Sequence, residues 1–512
     1  MRKARVTCGL LVLAPVLGAC GMGGADSADG GGGGAGGERA VVIDEPFGPA
    51  AGWALETDDS FVLSKVGCLE TLVRREADGS IEPMLATSWE QVEPTAWEFD
   101  LRTGVSFQNG EPMDAEAVAG ALTHALDVTA PASVFAPETV TGVAPVDEDT
   151  VRITTAEPDH LMPERLSTPN TGVLAPGAYG ESATDPRATC TGPFTIVEEV
   201  PQQSVRLERN AAYWGGEVRL DAAEVRFVTD ATLRATQIQT GEAQISRKMP
   251  ITSVTALTET DGVTVETTEL SRTTQLVLNN ARAPFDDERV RRAVQAAVDT
   301  AEISDAVYPG ASRPAVGPFA PDEPFAPTGA EPVTADPEAA AALFEEAGVD
   351  PGSLDLTLTV YTEGTGFADL AAVIQEQLRS AGVSVEIETA DYASVEPRLL
   401  DGDFDMALLS RNHLGDMPDP LGFLTADYSC DGGFNLTQLC DPAVDELITR
   451  ARGTADRDAR YALYAQLAAD LQERAVNVFL VHETETVAHS GVTGFTLHPY
   501  YTLTADLALA DG

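Results

Sequence analysis

A chain of 512 residues with 43% hydrophobic side chains is too long for one core and has the apolar content of a globular protein, so two or three domains are expected. The net charge is −49, and the acids are scattered rather than clustered. Nucleic acid, which is held by basic patches, is excluded as a partner; a field of this sign attracts cationic ligands or keeps a protein soluble outside the cell.

The chain opens on charge, Met1-Arg2-Lys3-Ala4-Arg5, then an apolar run over 6–17, then Leu17-Gly18-Ala19-Cys20. About a dozen apolar residues fall short of the roughly 20 that span a membrane. The order predicts a secretory signal over 1–19. The tetrapeptide ending at Cys20 resembles the lipobox of bacterial lipoproteins, with Gly18 a less usual residue at its position. That resemblance implies cleavage before Cys20, lipid on its sulfur and an extracytoplasmic protein anchored to the cell membrane. The Gly-rich tract that follows predicts a flexible tether over 20–37, with a span of roughly 20–25 Å. Gly31-x-Gly33-x-x-Gly36 lies inside it with no preceding strand, so it is no dinucleotide site.

Along the rest of the chain, 41–44 reads as a short strand and 61–73 as a helical stretch. The alternation of Trp97, Phe99 and Leu101 predicts a strand over 96–101. A helix over 114–126 takes Asp114 as its N-cap. Two short strands flank Asp147-Glu148-Asp149, and 194–200 with 204–209 forms a hairpin. A β-α-β unit covers 225–245. A strand over 274–278 precedes a helix over 286–298 capped by Asp286. The Pro-dense stretch 309–337 reads as loop, followed by a helix to Ala347. A second β-α-β unit covers 354–388, then come a strand over 404–409, helices over 441–452 and 457–473, and a last strand over 476–482. Strands alternating with helices of this length define an α/β class.

Of the six cysteines, Cys8 falls in the signal and Cys20 at the lipid position, leaving Cys68, Cys190, Cys430 and Cys440. Four cysteines in an exported chain point to disulfides in one of three pairings. Cys430 with Cys440 would close a short local loop, and Cys68 with Cys190 a long one. A zinc site is the alternative, without Cys-x-x-Cys spacing to support it. Catalytic patterns fail one by one. No lysine is followed by Ser or Thr, so there is no P-loop, and no G-x-S-x-G elbow occurs. His482-Glu483-Thr484-Glu485-Thr486 begins like a zinc-protease motif but lacks the second His. Asp401-Gly402-Asp403-Phe404-Asp405 begins like a calcium loop but carries Met406 where Gly is required. The expectation is binding rather than catalysis, with neither cofactor nor metal.

Several segments then resemble one family in order. They are Glu70-Thr71-Leu72-Val73 with the stretch to Trp89, Trp97 to Glu116, Thr191-Gly192-Pro193-Phe194, and Asn210 with Tyr213-Trp214-Gly215. Pro284-Phe285-Asp286-Asp287 with Arg289-Val290-Arg291, Asp336-Pro337-Glu338, Gly402-Asp403-Phe404-Asp405-Met406 and Asp419-Pro420 continue the series. Together they resemble the extracytoplasmic solute-binding proteins, family 5, of ABC importers for peptides and nickel complexes. The resemblance covers roughly residues 65 to 490. It implies a two-lobed periplasmic-binding-protein type II-like α/β fold with a subsidiary domain in the first lobe. Lobe one would hold 38–56, 175–270 and 488–512, the subsidiary domain 57–174, and lobe two 271–487. It further implies a monomer whose lobes close on a solute and present it to permease and ATPase subunits.

The segment from Arg411 to Pro420 follows a strand, and loops at strand C-terminal ends bind ligands in α/β folds. In peptide-binding members of the family an Asp three residues before the Asp-Pro pair meets the peptide α-amine, and Asp416 holds that place. Arg411, His413 and Leu414 complete the candidate ligand set, with Asp419 as a turn residue. Nickel-binding members have a Trp where Leu414 stands, and use a His near 428–434 that is absent here. Cys430 and Cys440 resemble a disulfide of dipeptide binders. The expected ligand is therefore a peptide or peptide-like solute. A nickel or metal chelate is the alternative, and an exported hydrolase or a surface sensor the remote ones.

Overall fold

Val41 and Ile43 face inward from the strand Ala40–Glu45, which opens the ordered body of the chain. In the computed structural model, which describes residues 39–76, 79–180, 183–415 and 417–510, this strand lies between Ala222–Phe227 and Ile245–Ser246, parallel to both. The stretches expected to be signal (1–19) and tether (20–37), Cys20 among them, and Asp416 lie outside the described residues. Ala231–Thr240 crosses between the two flanking strands. Asp230 caps its N-terminus by accepting from Thr232 N and Leu233 N, and Gly241 closes it in the left-handed conformation. The hairpin Phe194–Val200 and Ser204–Arg209 extends the sheet edge. Ile43, Phe194, Leu207 and Val225 meet in one apolar core.

A second core belongs to the second lobe. Asp355–Tyr361 pairs in parallel with Ser384–Ala390 through the crossover helix Phe367–Ser380. That helix buries Phe367, Leu370, Ala371, Ile374 and Leu378, a stripe at helical spacing. Met406–Asn412 flanks Asp355–Tyr361 on its other side.

Two long strands cross from one lobe to the other. Val263–Leu278 and Asn477–Ser490 are antiparallel partners over most of their lengths. Near Ser490 they lie beside Ile245–Ser246, and near Leu278 beside Met406–Asn412, so one 11-stranded sheet runs through both lobes. The ladder slips register between Glu269 and Thr273, where it passes between lobes. Such a bulge unpairs backbone groups and bends the strand, which is what a hinge requires. A separate four-stranded antiparallel sheet, Ala86–Glu93, Ala96–Leu101, Thr150–Thr155 and Val140–Pro145, packs on the helix Ala115–Asp127. Its core, including Phe99 and Ile153, is continuous with Phe319, Phe423 and Tyr464 of the second lobe. No helix among the described residues is long and apolar enough to cross a membrane.

The family-like segments converge on one buried carboxylate. Glu70 accepts from Thr191 Oγ1 at 2.8 Å, Tyr213 Oη at 2.8 Å and Trp214 Nε1 at 2.7 Å. Gly192 is obligatory beside it, because a Cβ there would meet Cys68 O at 2.4 Å. These residues tie the lobe together. Cys68 is bonded to Cys190, and Cys430 to Cys440.

Several local expectations need correction. The helix expected over 61–73 is Asp59–Lys65, stopped at Gly67, whose φ of 71° continues no helix. The helix Glu288–Ala297 is capped by Asp287, not Asp286, because Asp286 is spent in the turn that bonds its N–H to Arg282 O. The strand expected over 404–409 is Met406–Asn412, held to that register by Arg272–Leu278 opposite. The Pro-dense loop contributes a short strand, Ser312–Pro314, along the second crossing strand. The helices Ile251–Thr258, Thr300–Val307, Tyr392–Leu400 and Pro420–Tyr428 were not foreseen, being short and weakly periodic.

Candidate functional site

The strand Met406–Asn412 puts Arg411 on the sheet and leaves His413 just beyond its end. Arg411 grips Asp427 with Nε 2.9 Å from Oδ2 and Nη2 2.7 Å from Oδ1. Its guanidinium lies 4.8 Å from the Phe434 ring centre and 5.7 Å from that of Phe423. It borders a cavity of about 640 Å³ together with Arg165, Met417 and Phe434.

His413 is buried rather than solvated, at 2% exposure. Its N–H donates to Ser271 O at 3.0 Å, which ties the loop to the first crossing strand. Its Nε2 donates to Glu323 Oε1 at 2.7 Å, and its ring stands edge-on to Phe319 and Phe325. Burial works to raise the Glu323 carboxyl, but the adjacent His413 overturns that and holds it below the usual range. Leu414 is packed into the shared core. Asp419 caps Pro420–Tyr428 through Leu421 N at 2.9 Å and accepts from Tyr464 Oη at 2.6 Å. Arg460 lies 3.4 Å from its other oxygen and 3.2 Å from Glu164 Oε1. Glu164 comes from the helix Met162–Arg165, in the stretch assigned to the subsidiary domain. Burial, with Asp419 repulsion adding to it, pushes the Glu164 carboxyl up to about 7.

A second cavity of about 640 Å³ opens at the hinge itself. Arg75 and His498 line it together with Arg313, Asp322 and Glu323, and with Arg247, Glu269 and Glu485. Arg247 makes a bidentate pair with Glu485, at 2.9 and 3.0 Å, and donates to Thr502 Oγ1 at 3.1 Å. Burial alone would raise the Glu485 carboxyl, yet Arg247 keeps it below the usual range. Arg313 bonds Glu269 and Asp322. His482, below the cavity, is pushed down to about 4 by burial. It is therefore neutral, accepting from Val316 N at Nε2 and donating from Nδ1 to Thr273 Oγ1.

The structure thus gathers charges of both signs between the lobes. Of the candidate ligand residues it places Arg411 at a cavity edge, buries His413 and Leu414, and leaves Asp416 outside the described residues. Arg75, Glu269, Arg313, Glu323 and Glu485 escaped sequence reasoning. Only for Glu485 was there a signal: it lies in a run better read as strand than as helix, where alternate residues share a face. Among the described residues no group of three or more His, Cys, Asp or Glu could hold a metal ion.

Comparison with known proteins gives a consistent picture. The model of the bacterial extracellular solute-binding proteins, family 5 Middle, matches residues 80–435. The chain is 27% identical to di/tripeptide-binding protein 2 of Pseudomonas aeruginosa over 465 residues, 82% of this chain and 85% of that one. It is 29% identical to the nickel-binding periplasmic protein of Escherichia coli over 436 residues, 80% and 82% of the two chains. The crystal structure of a nickel ABC transporter protein from Bacillus halodurans superposes with a TM-score of 0.81 at 29% identity, covering 92% of this chain and 100% of the other.

Proposed function

This chain belongs to the bacterial extracellular solute-binding proteins, family 5, and from that premise we propose that it captures peptides or peptide-like solutes between its lobes for the permease of an ABC importer. The observation that carries this reading is the hinge cavity. About 640 Å³ is within the range of small-ligand sites. Arginines and carboxylates face it together, a lining suited to a zwitterion. Closure about the 269–273 bulge would expel water and strengthen each charged contact. Asp416 is proposed as the acceptor of the ligand's α-amine, in a charge-assisted hydrogen bond. Arg411, with Leu414 and His413 behind it, shapes the neighbouring wall. Lipid on Cys20, with the tether over 20–37, would keep the receptor near its permease after export, and the lobe boundaries given above complete the proposal.

A metal chelate is the second reading, favoured by the similarity to nickel-binding relatives. Since the described residues offer no ligand set of their own, such a metal would arrive already chelated. Thermal-shift titration with di- and tripeptides, and with nickel in the presence and absence of histidine, separates the two. Peptide-dependent stabilisation supports the first. Stabilisation by a nickel chelate and by no peptide overturns it and the role of Asp416 together.

A further inference from the structure

We infer that Arg75 receives a carboxylate of the captured solute. The inference deepens the binding role proposed above and rests on it. Arg75 ends the strand Val73–Arg75, which pairs with Ile81–Pro83, and it forms one wall of the hinge cavity.

The charges around that cavity pair off with one exception. Arg247 is held by Glu485, and Arg313 by Glu269 and Asp322. Glu323 is held by His413. His498 uses both ring nitrogens, accepting from Tyr500 N at Nδ1 and donating from Nε2 to the main-chain oxygen of Arg75 at 3.1 Å. That bond fixes the Arg75 backbone and leaves the imidazole neutral. Among the described residues no carboxylate forms an ion pair with the Arg75 guanidinium, and its Nε is buried without a hydrogen-bond partner.

A buried donor without a partner is unfavourable, and the planar guanidinium fork matches a carboxylate through two parallel bonds. Arg75 lines the cavity, so a solute carboxylate entering it meets a guanidinium that no protein carboxylate among the described residues engages. Asp322, exposed in the lining of the same cavity and bonded among the described residues to Arg313, adds an acidic group for the solute's cationic end. The chemistry selects small molecules bearing a free carboxylate, whether the C-terminus of a peptide or the carboxylate of an amino-acid chelate.

Calorimetry on the full chain tests this with four probes: Ala-Ala-Ala, its C-terminal amide, nickel–histidine and nickel–histidinamide. For whichever class binds, the wild type should prefer the free acid by roughly 10- to 100-fold, the scale of a charged hydrogen bond. Arg75→Gln should lose that preference, and Arg75→Lys should keep part of it. Unliganded melting curves of the variants report folding separately, and the acid-versus-amide comparison on the wild type needs no variant. A wild type that binds acid and amide alike overturns the inference while leaving capture intact, as does an Arg75→Gln variant that retains the preference. A wild type that binds none of the four overturns both.

Discussion

The two walls of the cleft handle charge in opposite ways. On the second-lobe side, at the end of Met406–Asn412, each charged side chain described is committed to a protein partner: Arg411 to Asp427, His413 to Glu323, Asp419 to Tyr464 and Arg460. On the other side Arg75 lines the cavity and, among the described residues, forms no ion pair with a carboxylate. A charged residue picked out by a motif can be part of the scaffold, whereas a charge the scaffold leaves unpaired is available to a ligand. The committed side chains set the shape of the site, and Arg75 across from them is left to meet the solute's carboxylate.

The largest way to break this comparison is to remove a committed charge. Arg247 is buried, and Glu485, Glu45 and Thr502 all depend on it. Arg247→Ala leaves carboxylates buried without compensation, so a loss of about 3–5 kcal/mol in unfolding free energy is expected by denaturant titration. A loss below about 1 kcal/mol would mean that the floor of the cleft is wetter and less committed than its geometry indicates.

The next effect is a pH dependence. Glu164 and Asp419 flank one guanidinium, that of Arg460, with Tyr464 and Tyr461 packed beside it. The Glu164 carboxyl, pushed up to about 7 by burial, takes up a proton in the folded protein that the unfolded chain, near 4.5, releases earlier. Its contribution to stability is therefore fully present below pH 4.5 and is lost as pH rises through 7. Glu164→Gln removes that titration. Between pH 4.5 and 8 the wild type should lose stability relative to the variant, by no more than about 3 kcal/mol. Parallel melting curves for the two proteins across that range would contradict it.

The same contrast marks what the sequence could and could not disclose. The helix Arg457–Glu473 and the hairpin Phe194–Val200 with Ser204–Arg209 stand where periodicity and turn residues put them. The two-lobed fold was legible from the order of family-like segments. The crossing strand Val263–Leu278 was legible only in part, because its buried pattern is confined to the end beyond Arg272 while Thr and Glu fill the rest. Nothing local marks Arg75, Arg313 and Glu485 as neighbours. They come from segments hundreds of residues apart, and only the sheet topology brings them to one cavity. His413 misled for the opposite reason: a polar residue in a loop suggests solvent, but its partner Glu323 and the Phe319 and Phe325 rings come from the Pro-dense stretch that reads as featureless.

The smallest expected effect sharpens the comparison most directly. In sequence Asp416 lies between His413 and Asp419, whose side chains hold the structure together. If Asp416 acts on the solute, Asp416→Ala should weaken peptide affinity by roughly 1.5–3 kcal/mol, the scale of a charged hydrogen bond, and leave the unliganded melting temperature unchanged. His413→Ala should do the reverse, lowering the melting temperature by emptying the space beside Glu323 before it alters ligand preference. Should Asp416→Ala destabilise the empty protein and spare affinity, the whole loop would belong to the scaffold. Recognition of charge would then fall to the opposite wall, where Arg75 stands.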